Sequence, residues 1–228
     1  MTGNPDRRGS LDAPPLPRAM LAPVHDRPTR YARVVKPVLD RTIGLLATLL
    51  ALPLLTLTAT AIALTLGRPV LLRQTRIGRH GHPFTLYKFR TMHPDRRTTT
   101  RPIAFPDRRT THKHPDDPRH TPLGRLLRSY SLDELPQLLN VLRGDMSLIG
   151  PRPELPHIVG TYQPWQHRRH TVKPGLTGLW QVTERGNGLM HEHTHLDLHY
   201  AHHVTFHHDL TILVRTIPTL LGRTCRGE

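Results

Sequence analysis

The stretch from Ser131 to Asn140, SLDELPQLLN, sets two carboxylates side by side, Asp133 and Glu134, between a serine and a leucine-rich run. Such a pair can form an active site. It can equally be a helix start, because Ser-x-x-Glu before an apolar run is a capping box, with Ser131 at the N-cap and Glu134 reaching back to it. A second candidate is HEHTH at residues 191–195, which satisfies the His-Glu-x-x-His zinc-protease signature: His191 and His195 one helical turn apart, with Glu192 as base. Against it, five residues match easily by chance in a chain with 18 histidines, and no third ligand motif follows. In FTLYKFRTM the period of two puts Lys88 and Arg90 on one face with Phe84 and Leu86, so two cations point together.

The elements that must position these groups can be read coarsely. Val70 to Gln74 and Phe84 to Thr91 read as strands around the turn-rich GRHGHP. Leu123, Leu126, Leu127 and Tyr130 fall at helical spacing, as do Leu135, Leu138, Leu139 and Leu142, so two short amphipathic helices meet near Ser131. In the second, Asp133, Gln137 and Asn140 share a polar side. Asp209 to Leu221 reads as a further helix, packed on the core or lying at a membrane interface. The fold class is therefore α/β, mostly α with a small β-hairpin. Residues 93–120 read as a long polar loop, of a length that is more often functional or mobile than ordinary.

Composition sets the surroundings. Lys plus Arg number 32 against 17 for Asp plus Glu, and the net charge of +15 calls for an anionic partner: nucleic acid, acidic lipid or a phosphorylated substrate. With aromatic residues at only 5% and no recognition-helix or stacking signature, nucleic acid is set aside. The single cysteine, Cys225, excludes an intrachain disulfide and a cysteine zinc site within one chain. From Thr42 to Leu66 the chain carries no charge and is long enough to cross a hydrocarbon core. It starts too late in the chain for a secretory signal.

Basic residues flank that run on both sides: Arg27, Arg30, Arg33, Lys36 and Arg41 before it, and Arg68, Arg73, Arg76 and Arg79 after it. Equal flanks suggest that the segment enters and leaves by one face, the cytoplasmic one, with Pro53 as the bend of a re-entrant helix. A plain spanning helix with a proline kink is the alternative. The expected organisation is a basic, proline-rich disordered arm at 1–35, a membrane helix at 36–67, and a compact catalytic domain at 68–222 whose amphipathic helices lie at the interface. The arm is basic enough to rest on anionic membrane lipids.

YKFRTM, SLDELPQLLNVLRGDMSLIGPRPE and KPGLTGLWQV follow the apolar segment in that order. The chain thereby resembles the bacterial sugar transferases, the small monotopic polyprenyl-phosphate glycosyl-1-phosphate transferases, from about Val34 to Leu221. The resemblance implies transfer of a sugar-1-phosphate from a UDP-sugar to undecaprenyl phosphate with release of UMP. It places this step on the cytoplasmic face of the bacterial inner membrane, at the start of exopolysaccharide, capsule, O-antigen or glycoprotein glycan synthesis. It implies that Asp133 is the nucleophile, forming a phosphosugar-aspartyl intermediate, and that Glu134 is a magnesium ligand beside it. Lys88, Arg90, Arg128 and Arg152 become the cations that hold the diphosphate, by the affinity of arginine and lysine for phosphate oxygens. Asp197 in LDLHY becomes a secondary acid near the metal or nucleotide, with a structural salt bridge as its rival. A helix N-terminus at the dyad would add backbone N–H groups toward the phosphates.

Two departures from the family pattern stand out. Leu52 precedes Pro53 where some members have serine, and Glu184 in TERGNG stands where many relatives have glycine. Pro151, Pro153, Pro174, Gly175 and Gly178 are expected to stiffen or turn loops, and Trp180 to pack in the core or at an interface. The non-enzymatic rival is a membrane scaffold of the same fold. Sugar identity, with contacts expected in the loop from His93 to His120, and oligomeric state stay open at this level.

Overall fold

The computed structural model describes residues 29–93, 119, 121–184 and 190–220. Most of the expected arm, nearly all of the polar loop, and the RGNG part of TERGNG lie outside the described residues. Helix α1, Lys36–Thr65, continues directly from a π-helical turn at Tyr31–Val35, and Pro37, which has no N–H to give, falls just after the junction of the two. Helical structure thus begins at Tyr31, inside the segment expected to be arm. At 30 residues α1 is roughly 45 Å long. Among the described residues it is the one helix long and apolar enough to cross a membrane by length and composition.

The helix continues through Pro53. The proline removes a backbone donor there, and in the same turn Thr56 Oγ1 donates to Leu52 O at 2.8 Å. Thr48, Thr60 and Thr65 likewise donate to carbonyls four residues back. Hydroxyls in an apolar helix are thereby satisfied without water.

Both ends of α1 rest on the rest of the molecule, while its middle projects. Near the start, Asp40 Oδ1 accepts from Leu148 N at 3.1 Å and Gly44 lies against Val141. Near the end, Ile62 is fully buried with Phe89 and Leu127. Between them Leu45, Leu46, Leu49, Leu50, Leu54 and Leu57 are exposed.

After α1 comes an antiparallel hairpin of β1, Leu71–Ile77, and β2, Pro83–Phe89, with Leu72 opposite Lys88. Helix α2, Pro122–Ser129, is capped by Thr121, whose Oγ1 accepts from Gly124 N at 2.9 Å. A 3₁₀ turn at Leu132–Gln137 leads into the short α3, Leu138–Arg143, which ends at Gly144 with φ of 84°. Asn140 binds this region to the hairpin: its amide accepts from Tyr87 N at 3.1 Å and donates to Thr85 O at 2.7 Å.

The sequence reading missed a second sheet, the parallel pair of β3, Ser147–Ile149, and β4, Gly175–Thr177. Its glycines allow close approach more than they turn loops: a Cβ on Gly175 would lie 2.1 Å from Gly150 N. Between the two strands run α4, Pro156–Val159, and a 3₁₀ turn at Gln166–Thr171. The chain closes with α5, Leu179–Thr183, a 3₁₀ turn at Met190–His193, α6, Thr194–His202, and α7, Phe206–Leu220. In α7, Ile212 is buried, whereas Phe206, Leu210, Leu213, Val214 and Ile217 are exposed. Tyr31 OH and Lys36 Nζ both donate to Asp209 Oδ2, at 2.6 and 2.7 Å, and Tyr200 OH donates to Asp209 Oδ1 at 2.7 Å. The first and last helices are joined by this buried polar knot.

Candidate active site

The acidic pair sits on the 3₁₀ turn, and the capping box does not form. Ser131 is left-handed, with φ 57° and ψ 20°, and makes no side-chain capping bond. Glu134 N donates to Ser131 O at 3.1 Å, so the turn is closed by backbone while the Glu134 side chain is turned elsewhere. Pro136 explains the geometry: a proline so early suits a tight first turn and bars an α-helix from running back through the dyad. The helix start expected at this point is a 3₁₀ one: the segment carries the dyad in its first turn and runs directly into α3 at Leu138.

Glu134 faces two cations. Lys88 Nζ donates to its Oε1 at 2.8 Å; Arg152 donates through Nη1 to Oε2 at 3.1 Å and through Nη2 to Oε1 at 2.6 Å. This is the two-pronged pairing that guanidinium geometry favours. Burial by itself would raise the Glu134 pKa, but the charges and hydrogen bonds of Arg152 and Lys88 override it and hold the carboxyl well below the usual range. Arg152 in turn is raised, first by the charge of Glu134.

Asp133 is held differently. Among the described residues its ionic partner is Lys88 Nζ, at 3.8 Å, beyond hydrogen-bonding distance. Burial pushes its pKa up, opposed by Lys88 and assisted by Glu134. The arrangement therefore has one carboxylate locked as an anion and a neighbour whose oxygens are uncommitted. Arg128 contributes a field that lowers Asp133, and its Nε donates to Gly124 O at 3.2 Å.

Two residues that the sequence reading did not assign to the site support it from behind. Arg76 lies close enough to Arg152 for the repulsion, added to burial, to lower its own pKa to about 10. Its Nη1 donates to Pro153 O at 3.1 Å, which fixes the GPRPE loop. Arg169, fully buried, donates to Arg152 O at 2.6 Å and pairs with Asp197 at 2.6 Å. Asp197 is thus bound to Arg169, in the arrangement named as its structural rival. QHRRH offers no spacing that singles out Arg169, so no sequence signal could have found it.

The structure sets Arg90 apart from the cluster. Its guanidinium donates to the carbonyls of Leu66, Gly67 and Arg68, just beyond the end of α1. The alternation that would put Lys88 and Arg90 on one strand face stops at Phe89, where β2 ends, and the two cations meet different partners. We expect Arg90→Ala to lower stability by about 1–3 kcal/mol, the cost of leaving partly buried carbonyls without their donor, in thermal unfolding of the detergent-solubilised protein. The pairing of Lys88 and Arg152 with Glu134 should survive it.

The histidine motif is not a zinc helix. HEHTH begins in the 3₁₀ turn Met190–His193 and becomes α-helical only at Thr194, so its two histidines do not share one α-helical face. Among the described residues no group of three or more His, Cys, Asp or Glu could hold a metal ion. For magnesium, which the resemblance implies, the requirement is smaller: one or two carboxylates, with waters and substrate phosphates completing the shell. Glu134 takes three N–H donors against about four lone-pair sites. Asp133 beside it accepts none within bonding distance. The oxygen donors present fit a hard cation of that kind.

The family described as bacterial sugar transferase matches residues 31–223. The chain belongs to that family. Among its relatives is the uncharacterised sugar transferase EpsL of Bacillus subtilis, 40% identical over 188 residues, which covers 82% of this chain and 88% of the relative. A UDP-glucose:undecaprenyl-phosphate glucose-1-phosphate transferase of Caulobacter vibrioides is 44% identical over 199 residues, 82% of this chain and 69% of the relative. The undecaprenyl-phosphate galactose phosphotransferase of Salmonella typhimurium is 39% identical over 163 residues, 69% of this chain and only 34% of its own length. The matched span in this sugar transferase takes in α1, the hairpin and the Asp133–Glu134 turn together.

Proposed function

We propose that the protein transfers a sugar-1-phosphate from a UDP-sugar to a polyprenyl phosphate such as undecaprenyl phosphate, releasing UMP and starting a surface glycan. The observation that carries this is the pairing of an uncommitted Asp133 with a neighbour, Glu134, clamped by Lys88 and Arg152. The names of the relatives point to the same substrates.

In this reading an Asp133 oxygen attacks the sugar-bearing phosphorus, the bond to the bridging oxygen breaks, and UMP leaves. A phosphate oxygen of the polyprenyl phosphate then attacks the same phosphorus and expels the Asp133 carboxylate, giving a polyprenyl diphosphate sugar. Lys88 and Arg152 offset the repulsion between an anionic nucleophile and a diphosphate. Glu134 keeps both cations beside Asp133 and supplies an oxygen ligand for magnesium. When bound, that ion neutralises charge on the diphosphate and steadies the leaving phosphate.

The membrane arrangement belongs to the same proposal. Both ends of α1 rest on one body while its leucine-rich middle projects, and both flanks are basic. This supports a re-entrant helix with the catalytic body on the cytoplasmic face. Purified protein in detergent, given magnesium, undecaprenyl phosphate and a panel of UDP-sugars, should release UMP with one of them. Membrane binding without UMP release from any sugar would favour the scaffold reading instead.

A further inference from the structure

Beside the exit of α1 lies an open groove of about 650 Å³, lined by Ala59, Thr60, Ala63, Arg68, Pro69 and Val70. Its walls are apolar in effect, because Thr60 spends its hydroxyl on Thr56 O at 2.9 Å. The groove's one charged lining group is Arg68, which is exposed. Among the described residues its guanidinium has no hydrogen bond or ion pair, whereas Lys88, Arg152 and Arg90 are all engaged. Its backbone is pinned all the same, since the Arg68 carbonyl accepts from Arg90. An open apolar groove with one loose cation on a fixed backbone in its lining complements a single apolar chain that ends in a phosphate. A nucleotide sugar would need many more polar partners than this wall offers.

The groove also leads toward the chemistry. Ala59 and Val70 pack in the same apolar cluster as Leu132, the residue before Asp133. We propose that this groove receives the first isoprene units of the polyprenyl phosphate acceptor and that Arg68 meets its phosphate as the lipid enters from the bilayer. The inference rests on the transferase reading and names the acceptor's place within it. The remaining isoprene units stay in the bilayer along the exposed leucines of α1. Arg68 acts on binding of one substrate and has no part in attack on the diphosphate.

The test uses Arg68→Ala, and Ala63→Phe to fill the groove. Each should raise the KM for undecaprenyl phosphate about tenfold or more, the scale of losing a charge-assisted contact or a fitted wall. The KM for the UDP-sugar, and the lipid-independent exchange of labelled UMP into UDP-sugar, should not change. A normal lipid KM in both variants, with exchange intact, would overturn the groove and leave the transferase reading standing. Failure of exchange in the unsubstituted protein would instead remove that reading, and this inference with it. Phosphatidylglycerol that competes with the acceptor in the unsubstituted protein, but not in Arg68→Ala, would mark a general phospholipid site and also overturn the proposal. Thermal unfolding of Ala63→Phe guards against misfolding, and Arg68→Ala, a change at an exposed side chain, carries the test if that variant fails to fold.

Discussion

Asp133→Asn should abolish UMP release, by roughly 10⁴-fold or more if it removes the nucleophile, and should leave a protein that unfolds at a higher temperature. The two effects have one cause. Burial raises the Asp133 pKa above its unfolded value, so the folded state binds the proton more tightly and keeping the charge costs stability. That cost grows as pH rises from the unfolded carboxyl value to the folded one, and is fully present above the latter. Asparagine removes it, so the gain is largest near neutral pH and vanishes in acid, where the aspartate is neutral in both states. Catalysis runs the other way: turnover requires the carboxylate and should rise with pH through a limb displaced upward from the usual carboxylate range. Glu134, held well below that range, should add no second limb there. Unfolding curves and kcat/KM profiles over pH check both. An Asn variant with wild-type turnover would remove Asp133 from the chemistry.

Asp197→Ala should lower stability by about 3–5 kcal/mol, the cost of leaving a buried cation without its partner. Arg169 is 1% exposed and Asp197 2%, so water has little access to stand in for the carboxylate. Pairing Arg169→Met with Asp197→Leu should recover much of that loss, because removing both charges of a buried pair is often neutral. Activity should not recover with it: Arg169 also donates to Arg152 O, and without that bond the guanidinium that clamps Glu134 is less well placed. Thermal unfolding and UMP release, measured on the single and double variants, would separate the two roles. Full activity in the stable double variant would reduce the pair to a structural one.

What the sequence could show followed from range along the chain. The apolar run, its basic flanks and the family motifs are local, and the membrane-compatible helix and the acidic turn fall where those motifs put them. Ser131 misled because its neighbours match a cap while Pro136 forces a tighter turn, and a left-handed serine has no signature of its own. The pair Lys88 and Arg90 misled in another way. Alternation along a strand holds only as far as the strand, which ends at Phe89, and the groups each cation meets, a carboxylate for one and carbonyls for the other, are decided by the dyad turn and α1. The pairing of Arg169 with Asp197, and the parallel sheet that brings Gly150 to Gly175, join residues far apart and leave no periodic trace.

The knot at Asp209 has a consequence for the order in which the molecule comes into being. Lys36 and Asp209 are separated by 173 positions. At roughly 5–20 residues per second, translation reaches Asp209 about ten to thirty-five seconds after Lys36. Through that interval α1 is already made and ready to enter lipid, while Lys36 and Tyr31 lack the carboxylate that fixes them. A helix that enters lipid as it is made would therefore do so on a loose footing. Its seating against the catalytic body waits for Asp209 in α7, which makes that helix the latch for α1.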